Sequence, residues 1–312
     1  LNTELAAIEG LCQTMDSLNR WFAYAFLAVG IPGNVLSLLA VRTFPPSTGT
    51  CLVQILSVAN GCLLATQSTF VLLTGWVNTT SAYCQAKTFL TLFTSYFSAW
   101  TLVLIIAERY LRLRSLSHNG TSCFTVKRAK IASLLLGTTA LLMAAPSAWL
   151  TGPSQDTCLG LGRNGRFWTF VEVTLFSVAP SFLLLVLIFL YVVARAQKNQ
   201  GTWGAAADRD GTAGDKDESE DGVTRMTLPM AVLFPILTLP VVVVILSFYF
   251  CYEAITAEDE GYAWFKLIHA VCVHLSQCIN AVNILIYVLF SSRFRSGVRD
   301  VFRRCCCGRG SR

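Results

Sequence analysis

Charge is what this sequence has least of. Of its 312 residues only 13% are Asp, Glu, Lys or Arg, while 54% are hydrophobic. Soluble domains carry about 25% charged residues. The shortage falls in long uninterrupted blocks, which argues against a large soluble core and for a membrane protein. Histidine is also scarce: His118 lies in a connector, and His269 and His274 lie in an apolar stretch. No His–carboxylate spacing suits metal hydrolysis and no catalytic constellation is visible, so no enzyme, metal site or cofactor is expected. Residues 1–19 lack the basic start and apolar run of a signal peptide. No repeat recurs at a fixed period, so solenoid and inverted-repeat transporter readings gain nothing. The 12 cysteines would suit a secreted disulfide scaffold, but that class is short and polar. Cys51, Cys62 and Cys278 fall inside apolar stretches and are expected to pack as small hydrophobes.

Seven apolar stretches are present, at about 21–42, 51–75, 84–111, 130–150, 168–195, 226–252 and 264–290. Seven helices of about 20 residues cross a bilayer with roughly 140 apolar residues, which the chain supplies. The longest stretch, Cys84 to Leu111, would span roughly 42 Å as a helix, more than the hydrocarbon core, so one end stands in each aqueous phase. Lys and Arg set the orientation. Residues 112–130 carry five and 293–312 carry seven, whereas 76–83 and 253–263 carry none and 151–167 carry Arg163 and Arg166. The N-terminus is therefore expected outside and the C-terminus inside. The net charge of +6 sits beside apolar blocks, which fits inner-leaflet lipids rather than nucleic acid. Asn78-Thr79-Thr80 is a glycosylation sequon on the expected outer side. Asn119-Gly120-Thr121 lies on the inner side and is expected unmodified. Residues 197–224 are Gly-, Ala- and Asp-rich with few large apolar side chains, and are expected to form a mobile loop.

Several short motifs recur in one order. Gly33-Asn34 sits in the first stretch and Leu56-Ser57-Val58-Ala59-Asn60 in the second. Cys84 lies 25 residues before Arg109 in Glu108-Arg109-Tyr110. Pro180 interrupts the fifth stretch, Phe234 and Pro240 punctuate the sixth, and Asn283-Ile284-Leu285-Ile286-Tyr287 closes the seventh before Phe294 and a basic run. In order and spacing the chain resembles the rhodopsin-like G-protein-coupled receptors over nearly its whole length. The segment around Gly30–Asn34, with Asn280 through Phe294, looks like the invertebrate FMRFamide-receptor-like neuropeptide receptors.

The resemblance implies an all-α membrane protein with seven transmembrane helices plus a short amphipathic eighth helix. Residues 1–20 would be an extracellular tail, 21–292 the transmembrane domain and 293–312 the amphipathic helix and cytoplasmic tail. It implies a receptor for an extracellular peptide or small-molecule ligand that activates a heterotrimeric G protein. Glu108, Arg109 and Tyr110 would couple to that protein, with Arg109 held at rest by Glu108. Glu220 is a candidate second partner, unless Gly222 breaks the helix and leaves it in a solvated loop. Phe234, Thr238, Pro240, Asn283 and Tyr287 would form the activation switch. A disulfide would join Cys84 to Cys158, both on the oxidising side. Cys12 and Cys251 are candidates for a second bridge. Cys305, Cys306 and Cys307 are palmitoylation candidates that would anchor the tail to membrane lipids beside its arginines.

Departures from the family pattern are specific. Asn60 replaces the acid that holds sodium in relatives, Thr238 stands for the toggle tryptophan, and Ile284 for the seventh-helix proline. The fourth stretch has no central tryptophan. Thr91 is no aspartate and Gln277 no lysine, so an amine counter-ion and a retinal Schiff base are both missing. The outer connectors are acidic, and Glu172 lies about one turn into the fifth stretch, where a carboxylate is costly unless paired or wet. Glu172, Thr91, Gln67, His269, Gln277 and Tyr249 are candidate ligand contacts, with aromatic walls from residues such as Trp168 and Trp264. An acidic, aromatic mouth suits a small cationic peptide. A transporter or channel would need a continuous polar path and paired intramembrane charges, and only Glu172 offers itself.

Overall fold

The computed structural model describes residues 2–74, 76–77, 80–118, 125–154, 157–160, 162–202, 214–251 and 260–307. Helices dominate: α1 (Asn2–Ala25), α2 (Ile31–Val41), α3 (Thr48–Leu73), α4 (Ser81–His118), α5 (Val126–Trp149), α6 (Gly162–Val173), α7 (Ala179–Thr202), α8 (Gly214–Cys251), α9 (Glu260–Ala281), α10 (Asn283–Phe290) and α11 (Ser292–Cys307). π-helical turns at Phe26–Gly30 and Thr174–Val178 join α1 to α2 and α6 to α7. Six helical runs are long and apolar enough to cross a membrane: Ala6–Val41, Thr48–Leu73, Ser81–Ser115, Val126–Trp149, Phe170–Gln197 and Gly222–Ser247. A seventh is the pair Gly261–Ala281 and Asn283–Phe290, bent by 47°. The seven apolar stretches thus become seven spans.

The third span, α4, is the hub. It packs against α3, α5, α7 and α8, and its Leu102, Ile105 and Ile106 meet Leu52, Leu56, Leu184, Met226 and Met230 in the main core. Between bilayer tails and core there is little hydrophobic driving force, so close packing of this kind holds the helices together. Small residues permit it: a Cβ on Gly30 would lie 2.6 Å from Leu64 Cδ1 and 3.2 Å from Ala281 Cβ, so the π-helical turn before α2 approaches α3 and α9 closely. The bend in the seventh span falls at Val282, and it forms although Ile284 stands where the family pattern has proline. At the Cys84 end of the bundle, β1 (Thr151–Ser154) pairs antiparallel with β2 (Thr157–Gly160), placing Pro153 opposite Cys158, and β1 packs on α4.

Three boundaries differ from the sequence reading. The chain is helical from Asn2, so the segment before residue 21 takes a helical form continuous with the first span; it holds helix-favouring Leu, Ala, Glu and Gln and no proline. The connector expected over 197–224 is helical to Thr202 and again from Gly214. Helix α8 passes straight through Gly222, because a single glycine costs about 1 kcal/mol and does not by itself end a helix. At the other terminus, α11 takes the expected amphipathic form. Phe294 and Gly297 are buried while Arg295, Arg299 and Arg303 are exposed, and Phe294 stacks edge-on against Tyr287 at 5.3 Å.

Candidate functional site

A cavity of about 190 Å³ opens among the second, third, fifth, sixth and seventh spans, toward the Cys84 end of the bundle. Gln67, Thr91, Glu172 and Gln277 all line it, with Phe234 and Thr238 from α8. The helical period explains the gathering. Thr91, Ser95 and Ser98 recur at i, i+4 and i+7 on α4, and Phe234, Thr238, Val241 and Ile245 at i, i+4, i+7 and i+11 on α8. The π-helical turn at 174–178 follows Glu172 directly and brings Phe176 and Ser177 to the lining. π turns often mark functional sites because the extra residue re-aims the face that follows. The indole N–H of Trp100 donates to Leu175 O inside that turn at 3.0 Å.

Glu172 is half-buried and has no ion-pair partner among the described residues. His269 is not among the lining residues; its ring stacks on Phe265 at 6.2 Å, on α9. The Tyr249 side chain lies outside the described residues. Sequence reasoning missed Ser95, Ser177, Ser276 and Asn280. The periodic hydroxyls of α4 and the polar run Ser276, Gln277 and Asn280 of α9 were the available signal.

The floor of the cavity meets a buried polar layer. Ser98 Oγ donates to Asn60 Oδ1 in a short hydrogen bond and lies 3.5 Å from Asn280 Oδ1. Asn34 Nδ2 donates to Gly30 O at 2.8 Å and to Asn280 O at 2.9 Å. Asn60 Nδ2 is buried without a partner among the described residues. These residues do not fit the sodium ion of the family: Asn60 brings no charge, its oxygen is engaged by Ser98, and its other end is a donor. Above this layer, Thr238 Oγ1 donates to Phe234 O at 2.8 Å and sits 3.3 Å from Ser181 Oγ. A hydroxyl pair across α7 and α8 therefore stands where the toggle indole was absent. Helix α8 carries Pro229, Pro235 and Pro240 within one run, and each removes a backbone donor. Asn283 and Tyr287 are buried, with Asn283 Nδ2 and Oδ1 and Tyr287 Oη unpartnered.

At the opposite end of α4, Arg109 Nε lies 2.6 Å from Glu108 Oε2, with both side chains buried, and Arg112 Nη1 lies 3.6 Å from Glu108 Oε1. Arg109 Nε makes no aligned hydrogen bond. Sequence neighbours on a helix do not face each other, so this is an ion pair of charge rather than of geometry. Tyr110 Oη accepts from Arg114 Nη1 at 2.9 Å. The Glu220 side chain lies outside the described residues.

The covalent candidates divide. Cys84 is disulfide-bonded; the Cys158 side chain, its expected partner, is outside the described residues. Cys12 is a free, exposed thiol, so it forms no second bridge. Cys51, Cys62, Cys272 and Cys278 are also free. Cys305–Cys307 end α11 with side chains outside the described set, and Asn78 is outside it altogether.

The sequence profile of the 7 transmembrane receptor (rhodopsin family) group matches residues 33–287. The chain belongs to that family. It is a multi-pass membrane receptor and not an enzyme. Among curated relatives, galanin receptor type 2 of Mus musculus is 30% identical over 297 residues, covering 92% of this chain and 75% of the relative. Galanin receptor type 2 of Homo sapiens is 30% identical over 296 residues, covering 92% and 72%. Galanin receptor 2b of Danio rerio is 27% identical over 241 residues, covering 76% and 60%.

Proposed function

We propose that this receptor binds an extracellular peptide carrying a positive charge and passes the signal to a heterotrimeric G protein. The supporting observation is Glu172, a carboxylate at membrane depth lining a cavity with no cation paired to it among the described residues. Such a group is costly, and a cationic ligand group would relieve that cost. Gln67, Thr91 and Gln277 supply neutral contacts around it. The similarity to galanin receptors supports a peptide as the ligand class. In this reading the Cys84 end faces outside and the Arg109 end faces the cytosol, with the acyl-bearing Cys305–Cys307 and the arginines of α11 anchoring that face to lipid. In the same reading the Cys84–Cys158 disulfide ties the β hairpin to α4, and Asn78 is glycosylated. Ligand shifts the receptor only by binding the state with α8 displaced more tightly than the resting one. That displacement frees Arg109 from Glu108.

G-protein activation in cells, scored against amidated and unamidated basic peptides, tests this. One peptide class should respond. Arg109→Ala should abolish the response with surface expression kept. Glu172→Gln should raise the half-maximal concentration about 10- to 100-fold, the size of a lost charge-assisted hydrogen bond, while Glu172→Asp should lose less. Full potency in Glu172→Gln would remove the counter-ion role.

A further inference from the structure

The Arg109 side chain is 4% exposed, and Nη2 is buried without a hydrogen-bond partner among the described residues. A donor that is neither solvated nor paired does not choose such a place for its bonding. Something else makes room for it there. The space belongs to Gly49. A Cβ on Gly49 would fall 1.7 Å from Arg109 Nη2, 2.7 Å from Arg109 Cζ and 3.2 Å from Val223 Cγ1. The guanidinium thus reaches Nη2-first onto the bare backbone of α3, with Val223 of α8 beside the same point.

That backbone is well fixed. Gly49 is the second residue of α3, inside a capping box in which Thr50 N donates to Ser47 Oγ at 3.2 Å and Ser47 N donates to Thr50 Oγ1 at 2.8 Å. Thr48 and Thr50, on either side, are buried. If a side chain appears at position 49, the capped turn stays and the flexible arginine moves. With Val223 beside the same point, α8 stands in the way of a retreat in that direction.

We propose that Gly49 is a positioning residue for coupling: it forms a slot, walled by α3 and α8, that sequesters the Arg109 guanidinium and withholds it from the G-protein face. The Glu108 ion pair and the slot act together, and the unpaired Nη2 means that the slot holds the arginine by shape rather than by strong bonds. Any residue larger than glycine expels Arg109 and raises basal output. The regulatory half of this proposal rests on the coupling role assigned to Arg109 above; the slot itself does not.

The test is a double-mutant cycle on the purified full-length receptor in detergent, read by thermal unfolding, which needs neither ligand nor G protein. In the wild-type background Gly49→Ala should lower Tm, because it collides with Arg109. In the Arg109→Ala background the same substitution should leave Tm unchanged or raise it, because alanine is the better helix former and nothing remains to clash. An equal loss in both backgrounds, or no loss in either, overturns the slot. If Gly49→Ala alone does not express, recovery of expression in Gly49→Ala/Arg109→Ala supports the slot, and continued failure overturns it. Basal G-protein activation per surface receptor is then measured for Gly49→Ala in cells and should rise several-fold. A coupled cycle with unchanged basal output would keep the slot and overturn its regulatory role.

Discussion

An amide and a carboxylate have nearly the same shape, so Asn60 can occupy the acid's place in the second span without disturbing the fold while changing what the site binds. Ser98 is drawn onto Asn60 Oδ1, and Asn60 Nδ2 keeps its donor hydrogens buried and unbonded among the described residues. A cation there would face a positive edge with no compensating charge. Sodium chloride and choline chloride should therefore give the same Tm for the purified receptor. Asn60→Asp should behave differently: an unpaired carboxylate buried beside Ser98 and Asn280 gains by taking up a cation, and a ion bound to the folded state stabilises it by mass action. Its Tm should rise in sodium relative to choline. A sodium-dependent Tm in the wild type would refute this account of Asn60.

At the scale of elements, the fourth span, which has no central tryptophan, borders an open groove. A cavity of about 250 Å³, lined by Tyr96, Trp100, Leu136, Thr139, Ala140, Met143 and Leu175, lies among α4, α5 and the π-helical turn. Its polar side chains are engaged: Trp100 with Leu175 O and Thr139 with Leu135 O at 2.9 Å. An apolar filling is what the groove lacks. Leu136→Trp should raise Tm in detergent, by about 2–4 °C for each kcal/mol of packing gained. A fall in Tm would mean that the ring is overpacked against Trp100. The elements also show where sequence reading succeeds and fails. The seven spans were legible because uninterrupted apolar blocks have one solution in a bilayer. The helix of residues 2–20 was not, because its sequence is too polar to read as a membrane span, and what holds it is tertiary: Asn19 Oδ1 lies 2.8 Å from His274 Nε2, whose ring stacks on Phe22 at 4.5 Å. The bend at Val282 was hidden for a similar reason. Without the proline that usually signals it, it depends on packing that includes Ile284 against the face of Gly33, where a Cβ would lie 3.0 Å from Ile284 Cγ2. In the candidate site, Glu172 and Gln277 could be singled out because charge and amides are rare in such blocks, whereas Ser95, Ser177 and Ser276 looked like ordinary small residues.

Across the whole molecule, cavity and Arg109 sit at opposite ends of the bundle, and α8 is the element that serves both. It lines the cavity with Phe234, Thr238, Val241 and Ile245 and passes beside Arg109 at Val223. Pro229 weakens its backbone ladder between those two regions, and Pro235 and Pro240 weaken it within the cavity-lining stretch, which lets one end move without the other following rigidly. Ligand binding should therefore displace the Val223 end of α8 away from α4, the hinge type of transition that a few residues absorb. Spin labels on Leu111 and Arg225, both exposed, report this distance, on a background in which the exposed Cys12 and Cys62 are replaced. The separation should lengthen by more than about 2 Å, the upper end of simple helix shifts, when the activating peptide from the functional screen is added. It should not lengthen in Glu172→Gln at the same peptide concentration, and should do so again at concentrations high enough to restore occupancy. An unchanged distance at saturating peptide, in receptor shown to bind it, would place the moving part elsewhere than α8.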